Sequence, residues 1–258
     1  MTPAGVAGLA ALRADPARAV VALDYDGTLA PVVDRPADAV PAPGAVEVLH
    51  ALAGGVGTLA LVTGRPADVV VELGGLRDVP GLVVVGQYGA QRWEAGVLTA
   101  AEPVAGIAQA RAVLPGLLGT DGAVLEDKGL SLVVHTRQAR DPLGALARLT
   151  PAVTAMAEGF GLQAHPGRMV LELRPPGFDK GGVLRRLCDG APSAVLFAGD
   201  DLGDLPAFDA VEQLRLAGVP GLLLCSASDE GPPALRRRAD VVADGPVGVV
   251  AFLRALLP

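Results

Sequence analysis

Four short apolar runs, each closed by a polar or glycine-rich cluster, constrain this chain more than any other feature. Ala19-Val20-Val21-Ala22-Leu23 runs into Asp24-Tyr25-Asp26-Gly27-Thr28, and Thr58-Leu59-Ala60-Leu61-Val62 into Thr63-Gly64-Arg65-Pro66. Leu82-Val83-Val84-Val85 ends in Gly86-Gln87-Tyr88-Gly89, and Ala194-Val195-Leu196-Phe197-Ala198 in Gly199-Asp200-Asp201-Leu202-Gly203-Asp204. Unbroken apolar runs of this length suit strands buried on both faces, as in a parallel sheet. Helical patterns stand between them, over residues 43–53, 67–73 and 180–187. Further strands are expected at 222–225 and 241–242, with a closing helix over 247–257. This alternation specifies an α/β fold with a doubly wound parallel sheet. In such sheets ligands bind beyond the carboxyl ends of the strands, where every polar cluster just named lies.

The rhythm breaks between about residues 93 and 176. Here a helix (105–118) precedes strands at 123–127 and 131–136, and a second helix (142–159) precedes strands at 162–165 and 169–173. The paired strands are joined by short links at Lys128-Gly129 and Pro166-Gly167, and short links favour antiparallel pairing. The expected organisation is a core built from residues 1–92 and 177–258, with an inserted α+β cap at 93–176. The crossings near 91–96 and 174–177 carry Gly or Pro, which suits hinges. With 258 residues and 51% apolar content the chain has material for two cores. That composition excludes disorder as its main state. Aromatic residues are only 3%, so the interior must be built from Ala, Val and Leu.

Charge and cysteine usage narrow the partners. A net charge of −7 argues against a nucleic-acid partner held by phosphate neutralisation. No apolar run reaches the roughly 20 residues a membrane helix needs, and the N-terminus lacks a signal-type segment. Cys188 and Cys225 are the only cysteines, which fits a reducing, cytoplasmic setting without disulfides. His50, His135 and His165 match no zinc spacing. Gly54-Gly55 and Gly74-Gly75 lack a dinucleotide or Walker pattern and read as turns.

Asp24 and Asp26 follow a buried strand directly. Carboxylates are costly to desolvate and repel one another, so such a pair implies a compensating cation. Asp200, Asp201 and Asp204 follow another buried strand, and together these acids could hold Mg²⁺, a hard cation that takes carboxylates, water and phosphate oxygens. Thr63 offers a hydroxyl and Lys180 a fixed positive charge, both suited to phosphate.

In this order the clusters resemble the four motifs of the haloacid-dehalogenase-like phosphatases: Asp24-Tyr25-Asp26-Gly27-Thr28, Thr63, Lys180 and Gly199 to Asp204. The resemblance implies a Rossmann-like core, a cap and an Asp nucleophile. Asp24 would then attack phosphorus, and Asp26 would protonate the leaving alkoxide and later activate water. Asp24, the backbone carbonyl of Asp26 and Asp200 would hold Mg²⁺, with Asp201 and Asp204 supporting the site.

Within that superfamily nearly the whole chain is similar to the trehalose-6-phosphate phosphatases. The similarity runs through Leu61-Val62-Thr63-Gly64-Arg65 and Gly86-Gln87-Tyr88-Gly89-Ala90. In the cap it includes Glu126-Asp127-Lys128-Gly129-Leu130-Ser131-Leu132 and Leu171-Glu172-Leu173-Arg174-Pro175. It implies that Glu126, Lys128 and Glu172 contact sugar hydroxyls, with Arg168 as a further candidate and a functional link to a trehalose-6-phosphate synthase. Arg65 is open to two roles, pairing with phosphate or locking the loop. Gly203 and Leu205 depart from the Thr and Glu that many members carry in the last motif. A related phosphatase of sucrose phosphate, a glycosyl phosphoglycerate or a hexose phosphate would share the chemistry. A phosphomutase would share Asp24 and Asp26 but exclude water, and a catalytically silent sugar-phosphate sensor is the reading from another class.

Overall fold

The computed structural model describes residues 1–257 except 34, 121, 168, 229 and 230. The chain begins with α1 (Pro3–Ala14), β1 (Val20–Leu23), α2 (Ala45–Ala53), β2 (Thr58–Val62), α3 (Ala67–Leu73), β3 (Leu82–Gly86), β4 (Gln91–Glu94) and β5 (Val97–Ala100). It continues with α4 (Ala105–Leu118), β6 (Val124–Asp127), β7 (Leu132–His135), α5 (Pro142–Gly159), β8 (Gln163–Gly167) and β9 (Val170–Arg174). The last part holds α6 (Lys180–Leu187), β10 (Val195–Gly199), α7 (Leu205–Leu216), β11 (Gly221–Ala227), α8 (Pro233–Arg238), β12 (Val241–Asp244) and α9 (Gly245–Arg254). These elements divide into two compact units, one of Met1–Thr99 with Asp179–Pro258 and the other of Ala100–Phe178.

The larger unit is built on a sheet of strand order β12-β11-β10-β1-β2-β3-β4-β5. The strands from β12 to β3 are parallel, and β4 turns antiparallel to β3. Successive side chains leave a strand on opposite faces, so each buried strand feeds two cores. Val21 and Leu23 of β1 pack with residues of α1, α2, α3 and α9, including Leu12, Leu49, Val70 and Val249. Val20 and Ala22 pack with α6, α7 and α8 through Val183, Leu184, Phe208 and Leu235. Helices on both faces explain why these strands read as continuous apolar runs, without polar alternation.

Three features differ from the expectation. The hairpin β4–β5 extends the large sheet, so a boundary at residue 92 falls inside a strand: Trp93 pairs with Val84 and is buried in the core. The helix α1 has no strong apolar stripe and lies outside the alternating pattern, yet Gly5, Gly8 and Leu12 are buried. Its small residues allow close approach to β11, which composition alone does not signal. The helix α7, absent from the expected elements, follows the acidic cluster directly; Pro206 occupies its first turn, where a missing N–H costs nothing.

The smaller unit is a four-stranded antiparallel sheet, order β6-β7-β9-β8, covered on one face by α4 and α5. Leu132, Val134, Leu171 and Leu173 face the helices and meet Ile107, Leu114, Val153 and Ala157. By alternation Val133 and Glu172 lie on the opposite, helix-free face. Register aligns Glu126 with Val133, Val133 with Glu172, and Glu172 with His165, so these four form one row across that face. Pro166 and Gly167 belong to β8 and pair with Leu171 and Val170, so they are strand residues and not the turn. Among the described residues no helix is long and apolar enough to cross a membrane.

Candidate active site

In the larger unit the four motifs converge at the carboxyl ends of β1, β2 and β10 and at the start of α6. Asp24 follows β1 directly, and its backbone N–H donates to the Ala198 carbonyl of β10. This bond fixes the backbone of the acid to the neighbouring strand before its side chain is considered. Lys180 is brought in by a helix start. Asp179 caps α6 by accepting from the Gly182 N–H at 2.7 Å, and Lys180 is the first helical residue. Gly181 lets α6 approach α7 closely, since a Cβ there would lie 2.2 Å from the Pro206 carbonyl oxygen.

Lys180 Nζ sits between two carboxylates, 2.8 Å from Asp24 Oδ1 and 2.7 Å from Asp204 Oδ1. All three side chains are buried. The second oxygen of Asp204 accepts from the backbone N–H groups of Asp200 and Asp201, at 2.9 and 3.1 Å. Asp204 thus ties the loop after β10 to the lysine. Asp201 caps the short turn by accepting from the Gly203 N–H at 2.8 Å. A glycine at 203 and a leucine at 205 leave both acidic contacts in place, so the departure from the common motif does not disturb this frame.

Carboxylate oxygens of Asp24, Asp200 and Asp204 lie within 4.8 Å of one another. Burial, with the neighbouring acids, pushes the Asp200 carboxyl up to about 8 and raises Asp24 well above the usual range despite Lys180 beside it. Burial alone would lower Lys180, but Asp204 and Asp24 more than offset it and hold the ammonium charged. Closely spaced oxygen donors whose charges are mutually costly are a fitting set for a hard divalent cation. Gly27 is part of that fit. It adopts φ +71°, and a Cβ there would meet Asp200 Oδ2 at 2.0 Å. Ser226, at the end of β11, donates to the Gly27 carbonyl at 2.6 Å and steadies the same loop. Sequence reasoning passed over Ser226, although it too stands where a buried strand ends in a polar residue.

Asp26 lies apart from the Lys180 cluster in its bonding. Arg65 grips it side-on, Nε to Oδ2 at 2.6 Å and Nη2 to Oδ1 at 2.7 Å. Thr63 is buried after β2; its N–H donates to Val85 and its hydroxyl oxygen accepts from the Arg65 N–H at 3.1 Å. Tyr88, held at φ +57°, donates its N–H to the Thr63 carbonyl, so the ends of β2 and β3 are joined.

In the smaller unit Lys128 Nζ is 3.6 Å from Glu172 Oε1, which also accepts from the Ser131 hydroxyl at 3.0 Å. Glu126 pairs with His135 at 2.7 Å. Arg168 lies outside the described residues.

The trehalose-phosphatase family model matches residues 22–238, from within β1 to the end of α8. The chain belongs to the trehalose-phosphatase family. The trehalose-phosphate phosphatase of Mycobacterium avium is 36% identical over 253 residues, covering 92% of this chain and 61% of the relative. That of Mycobacterium marinum is 36% identical over 210 residues, covering 75% of this chain and 52% of the relative. The chain therefore spans between about half and three fifths of the length of these two curated relatives. Among solved structures, the C-terminal domain of the Candida albicans trehalose-6-phosphate phosphatase superposes with a TM-score of 0.80 at 18% identity, covering 99% of this chain and 97% of that one. At that identity the likeness speaks for the fold alone. The family match spans each of the four motifs, and the acidic cluster meets the need of this phosphatase class for a divalent metal.

Proposed function

We propose that this chain hydrolyses trehalose 6-phosphate to trehalose and inorganic phosphate through an aspartyl-phosphate on Asp24. One observation carries the reading: a buried carboxylate at the end of β1, 2.8 Å from a buried lysine, among acids set to share a cation. Family membership supplies the substrate class.

In the first half-reaction an Asp24 oxygen attacks phosphorus, the bond to the sugar oxygen breaks, and that oxygen takes a proton from Asp26. In the second, water attacks the aspartyl-phosphate, Asp26 accepts its proton, and phosphate leaves with the Asp24 carboxylate restored. Lys180 orients the nucleophile and balances charge gathering on the phosphoryl oxygens. The Thr63 hydroxyl, accepting from Arg65, keeps its own proton to donate to a phosphate oxygen. Asp24, the Asp26 carbonyl and Asp200 would hold Mg²⁺, with Asp204 anchoring the loop; the bound ion would neutralise charge on the transferring group.

For the sugar we assign Glu126, Lys128 and Glu172, with Arg168 as a further contact. Charged donors and acceptors discriminate vicinal hydroxyls because an analogue leaves them unpaired. Lys128 and Glu172 are mutually placed and largely buried, unlike ordinary surface pairs. The acidic chain has no evident attraction for nucleic acid, and its two free, buried thiols suit a reducing cytoplasm. A synthase that makes the sugar phosphate would be its functional neighbour.

The test is phosphate release from trehalose 6-phosphate, sucrose 6-phosphate, glucose 6-phosphate and a glycosyl phosphoglycerate, with Mg²⁺ or EDTA, beside Asp24→Asn. Metal-dependent preference for trehalose 6-phosphate is expected. Preference for another substrate would keep the chemistry and remove the sugar assignment. No turnover of any would favour the silent sensor, and transfer to a second sugar in place of water would favour a mutase.

A further inference from the structure

Arg65 stands two residues after Thr63, a place from which a guanidinium can meet an arriving phosphate. Its donors are directed elsewhere. Two parallel N–H bonds go to the two oxygens of Asp26, and Nη1 donates to the Pro36 carbonyl at 2.8 Å. The arginine side chain is only 17% exposed, so this contact is not a solvated surface pair. Its backbone is held at both ends, the N–H on Thr63 Oγ1 and the carbonyl accepting from the Gln87 N–H at 2.9 Å. The guanidinium carbon lies 6.0 Å from the centre of the Tyr25 ring, whose hydroxyl donates to the Ala39 carbonyl at 2.7 Å. Arg65 therefore links three segments: the loop bearing Asp26, the end of β2 and the stretch at 36–39.

We propose that Arg65 is a positioning residue for Asp26 and not a ligand of the substrate phosphate. A carboxylate on a loop rotates freely about its side-chain bonds, whereas general acid–base catalysis needs one oxygen within hydrogen-bond reach of the leaving group. A planar fork meeting a carboxylate side-on selects one orientation of that carboxylate. The Pro36 carbonyl fixes the fork in turn, so the orientation of Asp26 is set by segments well outside its own loop. The inference rests on the reading of Asp26 as the acid and base.

Leaving-group chemistry tests it. Trehalose 6-phosphate expels a strongly basic alkoxide that needs a proton from Asp26, whereas 4-nitrophenyl phosphate expels a stable phenolate that does not. In rapid-quench experiments with Mg²⁺, Arg65→Met should slow first-turnover trehalose release about 10²-fold, the low end of what a positioned acid contributes. First-turnover nitrophenolate release, and KM for both substrates, should stay within about threefold of wild type. Arg65→Lys keeps the charge but loses the fork, and should recover no more than about tenfold of the loss. In an Asp26→Asn background, Arg65→Met should add no more than about twofold, because residues acting as one unit are not additive. The double variant also removes both charges, so it reports even where Arg65→Met alone fails to fold. A tenfold or greater rise in KM for both substrates, equal slowing of both leaving groups, or additive losses in the double variant would each overturn the proposal and return Arg65 to the phosphate. A wild-type protein that forms no phosphoenzyme from either substrate would overturn the underlying functional reading as well, a result distinct from any seen in the variants alone.

Discussion

The two units treat charge differently. In the larger one Asp24, Lys180 and Asp204 are buried where the ends of β1 and β10 meet the start of α6, and each is held by a backbone or helix-cap contact. In the smaller one the helix-free face of the sheet presents Glu126 and His135 half-exposed, while Lys128, Glu172 and Arg174 are largely buried. A parallel sheet wound on both sides offers polar groups one outlet, the strand ends, and makes them costly unless paired there. An antiparallel sheet with helices on one face only has room for polar residues along the strands. The proposed chemistry, which needs desolvated, fixed charges, uses the first arrangement, and the proposed contact with hydroxyls uses the second.

The sharpest way to break this contrast is at the nucleophile. Asp24→Asn should lower phosphate release by at least about 10³-fold, since no other group replaces a covalent nucleophile. Residual activity within tenfold of wild type would remove Asp24 from that role. Next comes Lys180→Ala, expected to cost turnover at least about 10²-fold. It also leaves two buried acids without their cation, so the metal-free variant should melt well below wild type and regain much of the difference on adding Mg²⁺. A variant equally stable with and without metal would contradict the shared-charge account of the cluster.

A milder expectation concerns pH. The Asp24 and Asp200 carboxyls are raised in the folded protein, Asp200 to about 8, so the native state binds more protons than the unfolded one above the ordinary carboxyl range. Stability of the metal-free protein should then fall as pH rises from about 5 to 8, and Mg²⁺ should flatten that slope. Thermal melts at several pH values with EDTA or Mg²⁺ check this, and a metal-free protein that gains stability over the same interval would contradict it. The smallest effects are expected in the other unit. Glu172→Gln should raise KM for trehalose 6-phosphate about tenfold with kcat little changed. Ser131→Ala, which removes one hydrogen bond to Glu172, should cost about 1 kcal/mol of stability. Equal losses in kcat from the Glu172 variant would move this residue from sugar binding to the chemistry.

Much of this arrangement is legible in the amino-acid sequence. Apolar runs ending in Asp24, Thr63 and Asp200 mark buried parallel strands, because only strands covered on both faces lack polar alternation. The carboxyl-end rule then collects those residues at one edge. The pairing of short-linked strands in the smaller unit followed in the same way, as did its two helices, since local periodicity and turn length decide such elements. Other features depend on contacts distant in sequence. The helix α1 carries no apolar stripe and is held by small residues against β11. The hairpin β4–β5 joins the large sheet because Trp93 finds its pocket beside Val84. Asp204 faces Lys180, and Arg65 spends its fork on Asp26 across 39 positions of sequence. Residue type and spacing determined which groups stand at the strand ends; which carboxylate each cation meets was decided only when the chain closed on itself, because an ion pair depends on angstroms in space and not on distance along the chain.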